Sequence, residues 1–304
     1  MGTPAERGGS RVDEADVDPP GVAVVDAVTR ALAEDLLPLG DLTSALVPSA
    51  STASVAIVSR ASGVVAGRAC AVEALRQIDP SLDVSWSVTD GGRVEPGDRV
   101  AEVSGSLRSI LTAERTVLNF LGHLSGVASL TRRYVDAVAV ANPATRVLDT
   151  RKTTPGLRSL EKAAVRAGGG RNHRGGLSDA VLVKDNHLAG LSIGAAVTRA
   201  RELWPGRMVE VECDRPDQVD EAVAAGATVI MLDNMSLEQV ASCVSRLRGD
   251  GVGTLVEVSG RVSLDDAPRL AAAGADLISV GALTHSAPVL DLGFDLAPGP
   301  AGRG

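Results

Sequence analysis

The stretch from Leu148 to His187 concentrates basic side chains in a chain that is acidic overall. The 304 residues carry a formal net charge of −8. A local cationic cluster in an anionic protein favours a pocket for a small polyanion over a nucleic-acid surface. The basic residues of this stretch include Arg151, Lys152, Arg158, Lys162, Arg166, Arg171, His173, Arg174 and Lys184.

All of these nine basic residues except Arg171 fall into two groups. Arg158, Lys162 and Arg166 recur at helical spacing, which fits a solvated, salt-bridged helix face. The others follow strands or lie in the Gly-rich loop GGGRNHRGG (168–176), where charged residues are more often functional. The sequence therefore predicts that the second group forms a site. Its members are Arg151, Lys152, His173, Arg174 and Lys184.

From about residue 145 onward, six short apolar strands alternate with helices, a pattern typical of parallel βα units. Each strand ends in a polar residue or glycine, and an α/β barrel builds its active site at these carboxyl ends. An open doubly wound sheet would instead gather its ligands at one switch point. We favour a barrel, and an incomplete one, because a full barrel has eight strands. The residues at the strand ends are Asp149, Arg151, Lys152, Lys184, Asp185, Glu212, Asp233, Ser259, Gly260 and Gly281.

The first part of the chain predicts a small mixed α/β domain. A helix is expected over 22–36 and a long helix over 112–140, beginning at Thr112. Between them the pattern predicts strands at 53–60, 63–69, 83–88 and 99–105 and a helix at 70–78. Residues 1–20 and the tail from Ala297 are polar and rich in Gly and Pro, which predicts disorder.

The residue types at the strand ends indicate the chemistry. A guanidinium can grip a carboxylate with two hydrogen bonds, whereas a lysine offers a mobile charge suited to phosphate. Glu212 and Asp233 could hold Mg²⁺ or accept from ribose hydroxyls, or either could form a salt bridge to a neighbouring lysine. Backbone N–H groups near Ser259 and Gly281 suit a phosphate.

Several classes of protein are disfavoured. The three cysteines, Cys70, Cys213 and Cys243, are far apart and give neither a disulfide framework nor a zinc site, which favours the reducing cytoplasm. No apolar run is long enough to span a bilayer. Neither the Gly-x-Gly-x-x-Gly nor the P-loop pattern occurs in its structural context. We expect His123 to be a packing or surface residue and Cys213 to face the helices.

Seven runs of the chain resemble the quinolinate phosphoribosyltransferase family, in the family's order over residues 22–296. The runs DTRKT and GGGxNHR are the most specific of them. The matching segments are AEDL…GDLTS (33–44), LTAERTVLNFLGHLSG (111–126), DTRKTTPGLRSLEKAAVRAGGGRNHR (149–174), VKDNH (183–187), VEVE (209–212), LDN (232–234) and SVGALTHS (279–286).

The resemblance implies an enzyme that joins quinolinate to phosphoribosyl pyrophosphate and releases pyrophosphate and CO₂, giving nicotinate mononucleotide for NAD biosynthesis. It implies an N-terminal α/β sandwich (21–125), with 287–296 packing back on it, and an incomplete parallel α/β barrel (126–286). It also implies Mg²⁺ as cofactor and a homodimer or larger even assembly with shared sites. No nucleic-acid or membrane partner is expected.

The same resemblance assigns roles by motif. Arg115, Arg151, His173, Arg174 and Lys184 resemble the quinolinate-binding set. Lys152, Glu212 and Asp233 resemble the phosphoribosyl pyrophosphate contacts, with Glu212 and Asp233 on Mg²⁺. Ser259, Gly260, Gly281 and His285 match phosphate-binding positions. Lys152, Lys184, Glu212 and Asp233 are the predicted catalytic residues.

Arg261 departs from the Ser/Gly-rich run that the family has after Ser259, and so bears on the detail of the phosphate loop. Two alternatives to the enzyme stay open. One is a paralogous, molybdenum-transport-associated protein of similar fold, which the set Arg151, His173, Arg174 and Lys184 argues against. The other is a non-enzymatic binder of phosphorylated metabolites, which would not need paired carboxylates for a metal.

Overall fold

The structure is a computed structural model that describes residues 17–188, 190–249 and 253–296. The helices are α1 (Gly21–Leu36), α2 (Arg68–Ile78), α3 (Leu107–Ala141), α4 (Arg158–Ala167), α5 (Asp185–Leu188), α6 (Ile193–Leu203), α7 (Pro216–Ala224), α8 (Leu237–Gly249), α9 (Ala267–Ala272) and α10 (Ala282–His285). The strands are β1 (Thr52–Ser59), β2 (Gly63–Val64), β3 (Asp83–Trp86), β4 (Arg93–Val94), β5 (Arg99–Ser106), β6 (Arg146–Leu148), β7 (Val181–Val183), β8 (Val209–Cys213), β9 (Val229–Asp233), β10 (Leu255–Ser259), β11 (Leu277–Ser279) and β12 (Leu292–Leu296).

The predictions of disorder for residues 1–16 and 297–304 lie outside the described residues. Residues 17–20 of the predicted N-terminal tail are described and make contacts. Val17 is buried, and the backbone oxygen of Asp18 accepts a hydrogen bond from Arg166 Nη2 at 3.0 Å. This short segment therefore packs against the helix α4 of the barrel.

The N-terminal part is a four-stranded antiparallel sheet in the order β12–β1–β5–β3, covered by helices. Alternate residues of β1, such as Val55 and Ile57, are buried, as expected of a strand with one face on a core. The edge strand β12 comes from the far end of the chain, with Val55 opposite Leu296 and Ser59 opposite Leu292.

Two details of this part differ from the sequence prediction. The predicted strand 63–69 is only two residues long, because Gly67, at φ 101°, turns the chain into α2. The Asp90 carboxylate then accepts the N–H groups of Gly67 and Arg68 at 3.1 and 3.3 Å and stabilises the start of that helix. The partner strand β4 was not predicted, because two residues give no periodic signal.

The long helix α3 joins the N-terminal sheet to the barrel. It begins at Leu107, five residues before the predicted start, because the hydroxyl of Ser106 accepts the Ser109 N–H at 3.4 Å. Gly122 and Gly126 let the segment 288–290, which leads into β12, pass close to the helix. The Leu290 N–H donates to the Gly122 oxygen at 2.9 Å, and a Cβ on Gly126 would lie 3.0 Å from the Pro288 carbonyl carbon.

The second part is a six-stranded parallel sheet in the order β6–β11–β10–β9–β8–β7, which contains all six predicted strands. A one-residue parallel bridge at Arg171 extends it beyond β6. The prediction of an α/β fold with an incomplete barrel is therefore confirmed. In the described residues, no helix combines the length and the apolar character needed to cross a bilayer.

Candidate active site

A cavity of about 690 Å³ opens at the carboxyl ends of the barrel strands. Nine of the twelve residues predicted to bind substrate line it. They come from different strand ends because parallel strands bring those ends to one edge. The nine are Arg151, Lys152, His173, Arg174, Lys184, Glu212, Asp233, Ser259 and Gly260, and Arg261 and Ser279 line the cavity with them.

Gly281 and His285 lie behind Lys152 instead of on the cavity wall. A Cβ on Gly281 would be 3.2 Å from Lys152 Cδ and 3.1 Å from His285 Nε2, so a larger residue would require both side chains to shift by a few tenths of an ångström. The Thr284 hydroxyl donates to the Lys152 backbone oxygen at 2.8 Å. The start of α10 thus supports the lysine that lines the cavity.

Arg115 lies elsewhere in this chain. It lines a second cavity of about 500 Å³ between α1, α3 and the loop after β6, together with Arg30, His123 and Pro155. The first cavity therefore contains the contributions of the barrel alone.

Arg151 and Arg174 bring two guanidinium groups together in the first cavity. Burial lowers the pKa of Arg174, and the nearby charge of Arg151 lowers it further. Arg151 Nε is buried and has no hydrogen-bond acceptor among the described residues. Two like charges with an unsatisfied buried donor match a ligand that carries more than one negative charge.

The loop that carries His173 and Arg174 is held by a buried ion pair. Asp149 is fully buried and accepts hydrogen bonds from Lys162 Nζ, from Asn172 Nδ2 at 2.6 Å and from the His173 N–H at 2.9 Å. Burial raises the pKa of Asp149, although Lys162 and the loop donors oppose that rise. Lys162 also donates to the His173 backbone oxygen at 3.0 Å.

The prediction that Arg158, Lys162 and Arg166 form a solvated helix face is wrong. Lys162 is only 6% exposed, because the loop 168–174 folds over it. Arg158 Nε donates to the Thr153 hydroxyl at 3.1 Å, and Arg166 Nη1 donates to Asn172 Oδ1 at 2.5 Å. These basic residues of α4 tie down the two loops that shape the cavity.

Glu212 and Asp233 end neighbouring strands at the mouth of the barrel. Glu212 forms an ion pair with Lys184, which is the salt bridge considered as the alternative to a metal site. Asp233 Oδ2 accepts from Asn234 Nδ2 at 2.6 Å. Two carboxylates at adjoining strand ends fit Mg²⁺, which commonly takes one or two carboxylates and completes its shell with water and substrate phosphate oxygens.

The loop after β10 needs its glycine. Gly260 has φ 105°, and a Cβ there would lie 2.8 Å from the Asn234 nitrogen. The next residue, Arg261, has φ 41°, a backbone conformation that residues other than glycine rarely adopt. Its presence beside Ser259 and Gly260 places a cation at the predicted phosphate loop.

Beneath the cavity, two buried carboxylates converge on His173. Its Nε2 lies 3.1 Å from Glu210 Oε2 and 3.5 Å from Glu257 Oε2. Sequence reasoning missed both glutamates. The usable signal was their position: Glu210 is two residues before Glu212 and Glu257 two before Ser259, so each shares the inward face of its strand.

Burial opposes protonation of His173, but hydrogen bonds and charge attraction from Glu210 and Glu257 outweigh it and raise the pKa of His173 to about 10. A competing contact is the Arg174 N–H, which donates to His173 Nδ1 at 2.7 Å and needs an unprotonated Nδ1. The carboxylates dominate, because charge-assisted hydrogen bonds are about twice as strong as neutral ones.

Two further expectations concern residues outside this cavity. His123 packs against the fully buried Glu161, with Nε2 2.8 Å from Oε1. Cys213 is buried, and that burial raises the pKa of its thiol to about 12, which leaves no thiolate for nucleophilic catalysis.

Two family models match successive parts of the chain. Residues 41–125 match the model of the quinolinate phosphoribosyl transferase N-terminal domain, and residues 127–295 match the model of its C-terminal domain. The two matches meet inside the long helix α3.

The chain is also similar to individual proteins of this name over most of its length. It is 41% identical over 278 residues to a nicotinate-nucleotide pyrophosphorylase [carboxylating] of Mycobacterium leprae, covering 90% of this chain and 97% of the relative. A mitochondrial quinolinate phosphoribosyltransferase [decarboxylating] of Nicotiana glauca is 38% identical over 309 residues, covering 94% and 87%. The solved nicotinate-nucleotide pyrophosphorylase of Francisella tularensis superposes with a TM-score of 0.87 at 39% identity, covering 93% and 99%.

Proposed function

The chain belongs to the quinolinate phosphoribosyl transferase family, and we propose that it catalyses the decarboxylating transfer for which its relatives are named. Quinolinate reacts with phosphoribosyl pyrophosphate to give nicotinate mononucleotide, pyrophosphate and CO₂, a step of NAD biosynthesis. The enzyme is a pentosyltransferase.

The observation that carries this proposal is the pair of guanidinium groups in the barrel cavity. Quinolinate is a dianion whose adjacent carboxylates can take one guanidinium each, and Arg151 has a buried donor that such a ligand would satisfy. We assign Arg151, His173, Arg174 and Lys184 to quinolinate, as the motifs imply.

Phosphoribosyl pyrophosphate would lie between Lys152 and the loop after β10. Lys152 supplies an ammonium group for the pyrophosphate, and the Ser259–Gly260 loop, with Gly281 and His285 behind Lys152, is assigned to the 5-phosphate. Glu212 and Asp233 would hold Mg²⁺, which would neutralise charge on the leaving pyrophosphate. Lys152 stabilises the same leaving group as the ribose gains oxocarbenium character.

The quinolinate ring nitrogen bonds to the anomeric carbon as the bond from that carbon to pyrophosphate breaks. The ring is then a pyridinium, so the electron pair left when the 2-carboxylate departs as CO₂ is stabilised by the adjacent positive nitrogen. The carbon that lost CO₂ takes up a proton. The residues of the cavity bind and orient both substrates, and no step requires a covalent bond to the protein.

We further propose a homodimer or larger even assembly in which Arg115 of one subunit completes the site of another. Arg115 lies outside the barrel cavity of its own chain, in the second cavity. The nearby segment after α1 exposes a row of leucines, which favours an interface. Their exposed fractions are 72% for Leu37, 76% for Leu39, 66% for Leu42 and 83% for Leu46.

The proposed location is the cytoplasm, with no nucleic-acid or membrane partner. The net charge of −8 disfavours nucleic acid. Cys70, Cys213 and Cys243 are free buried thiols.

The decisive experiment measures quinolinate-dependent release of pyrophosphate and CO₂ by the purified protein, with nicotinate as the comparison substrate. Nicotinate lacks the 2-carboxylate and leaves a buried cationic donor unpaired, so kcat/KM should fall by at least about 100-fold. Arg174→Ala should raise KM for quinolinate. Comparable kcat/KM for both acids, or a protein that binds phosphorylated metabolites without turnover, would contradict the proposal.

A further inference from the structure

Two carboxylates are buried directly beneath a cavity that we assign to a dianion. Glu210 and Glu257 are 0% and 1% exposed, and both face the barrel interior. Glu210 Oε2 lies 3.1 Å from His173 Nε2, and neither Glu210 oxygen has a further hydrogen-bond partner among the described residues. Such a pair is unfavourable both for folding and for binding a dianion above it, so an explanation for its presence is needed.

A metal is one explanation that the geometry allows at first sight. His173, Glu210 and Glu257 place one nitrogen and two carboxylate oxygens within 4.8 Å of one another. However, His173 Nδ1 accepts the Arg174 N–H at 2.7 Å, which puts the hydrogen of a neutral ring on Nε2. A doubly protonated ring also carries hydrogen on Nε2. In both forms the nitrogen that faces the carboxylates is a donor and does not ligate a metal.

The contacts of the cluster instead describe a support for one side chain. The Ser279 hydroxyl donates to Glu257 Oε1 at 2.5 Å and leaves Oε2 facing the imidazole. Glu210 approaches the same Nε2 from β8, which is separated in the sheet by β9 from β10, the strand that carries Glu257. Because these strands are rigid elements of the barrel, the two carboxylates restrict the ring from two directions.

The backbone of His173 is held separately from its ring. Its N–H donates to Asp149, and its carbonyl accepts from Lys162. These anchors fix the position of the Cα, and the Arg174 N–H of the same loop holds Nδ1 of the ring. The two carboxylates hold the other ring nitrogen, Nε2, from strands outside the loop.

We propose that Glu210 and Glu257 are positioning residues for quinolinate, which fix the orientation of the His173 imidazole in the cavity before the substrate binds. This inference rests on the proposed function, since it assigns His173 to quinolinate. It predicts that the glutamates act through His173 and have no separate effect on phosphoribosyl pyrophosphate.

The test uses Glu257→Gln and Glu210→Gln in the full-length protein. A glutamine amide placed at Glu257 either turns its NH₂ toward the Nε2 hydrogen or gives up the bond from Ser279. We expect Kd and KM for quinolinate to rise about ten-fold, as for the loss of one hydrogen bond to a charged group, while KM for phosphoribosyl pyrophosphate stays within about two-fold. Binding is measured by calorimetry and turnover by CO₂ release.

A double-mutant cycle with His173→Gln separates positioning from general destabilisation. In the His173→Gln background, Glu257→Gln should leave the Kd for quinolinate unchanged. Asp276→Asn is the matched control, because Asp276 precedes β11 at the opposite end of the barrel, where it accepts from Arg248 and from the Val256 N–H at 2.8 Å. It should lower stability and leave the quinolinate Kd as in wild type.

Each outcome bears on the inference. Normal quinolinate binding by both glutamine variants overturns it, as does an equal effect of Glu257→Gln with and without His173. If the glutamine variants do not fold, Glu257→Asp keeps the charge but withdraws it from Nε2, and it should reproduce the selective rise in Kd. Wild-type protein that binds no quinolinate would instead refute the proposed function.

Discussion

Replacing Lys162 by methionine tests how the site loop is held. Methionine keeps much of the volume of the side chain and removes its ammonium group. Asp149 is fully buried, so it would lose Lys162, its one oppositely charged partner within the described part of the chain, and keep the hydrogen bonds from Asn172 Nδ2 and the His173 N–H. Removing one partner of a buried ion pair typically destabilises a protein by about 3–5 kcal/mol.

The expected loss for Lys162→Met is at the lower end of that range, about 3 kcal/mol, because two of the hydrogen bonds to Asp149 remain. In a protein of 304 residues, whose unfolding entropy is about 2.1 cal/mol/K per residue, a loss of that magnitude lowers Tm by roughly 5 °C. The measurement is urea unfolding followed by circular dichroism at pH 7, with Tm from calorimetry. Quinolinate affinity should fall as well, since Lys162 also holds the His173 carbonyl.

Two comparisons make the result specific. In Asp149→Asn/Lys162→Met no charge is buried alone, so the double variant should be more stable than Lys162→Met. Arg93→Met removes a pair with Asp136 whose side chains are 66% and 49% exposed, and it should change stability by less than about 1 kcal/mol. The loss in Lys162→Met should also shrink at low pH, where Asp149 becomes protonated. A Lys162→Met protein within 1 kcal/mol of wild type at pH 7 would refute the buried charge pair.

Three further predictions follow from other contacts. The pKa of His173 is raised to about 10, so the stability that its protonation gives the fold is complete below the unfolded pKa of about 6.5 and is lost as pH rises toward 10. Urea unfolding of wild type and His173→Gln at pH 6, 8 and 10 should show the difference between their unfolding free energies shrinking as pH rises. Arg261→Gly relieves the φ of 41° and should stabilise the protein by about 1 kcal/mol, yet weaken binding of ribose 5-phosphate several-fold in calorimetry; unchanged binding would separate Arg261 from the phosphate site. Arg115→Ala and Lys152→Ala should each be nearly inactive, but refolding them together should recover about a quarter of wild-type activity if sites are shared in a dimer, whereas sites built within one chain would recover none.

The strand-end residues could be predicted because two simple regularities agree there. Apolar runs of strand length alternate with helices, and each run ends at a residue such as Glu212 or Asp233. Because such a side chain is polar, it is expected at the open edge of the sheet and not in the core. The six parallel strands and seven of the nine cavity-lining residues follow from that pattern, whereas His173 and Arg174 were predicted from the basic, Gly-rich loop 168–176.

The errors occurred where burial depends on a distant segment. Lys162 has the spacing of an exposed helix position, but the loop that covers it comes from 168–174, and periodicity within one helix does not reveal a loop folded over it. Glu210 and Glu257 went unnoticed because a carboxylate inside a barrel has the same sequence pattern as one at its rim. Arg115 was assigned by resemblance, and a single chain places it in the second cavity.

The pairing of β12 with β1 has a consequence for how the chain folds during synthesis. The sheet that begins at Thr52 receives its edge strand only from Leu292–Leu296, after every strand of the barrel has been made. At roughly 5–20 residues per second, the ribosome needs on the order of ten seconds or more to supply that strand. Until then β1 presents an open hydrogen-bonding edge, which in a crowded cell invites pairing with another chain. The nascent protein is therefore most exposed to aggregation, and most dependent on chaperones, in the part that emerges first.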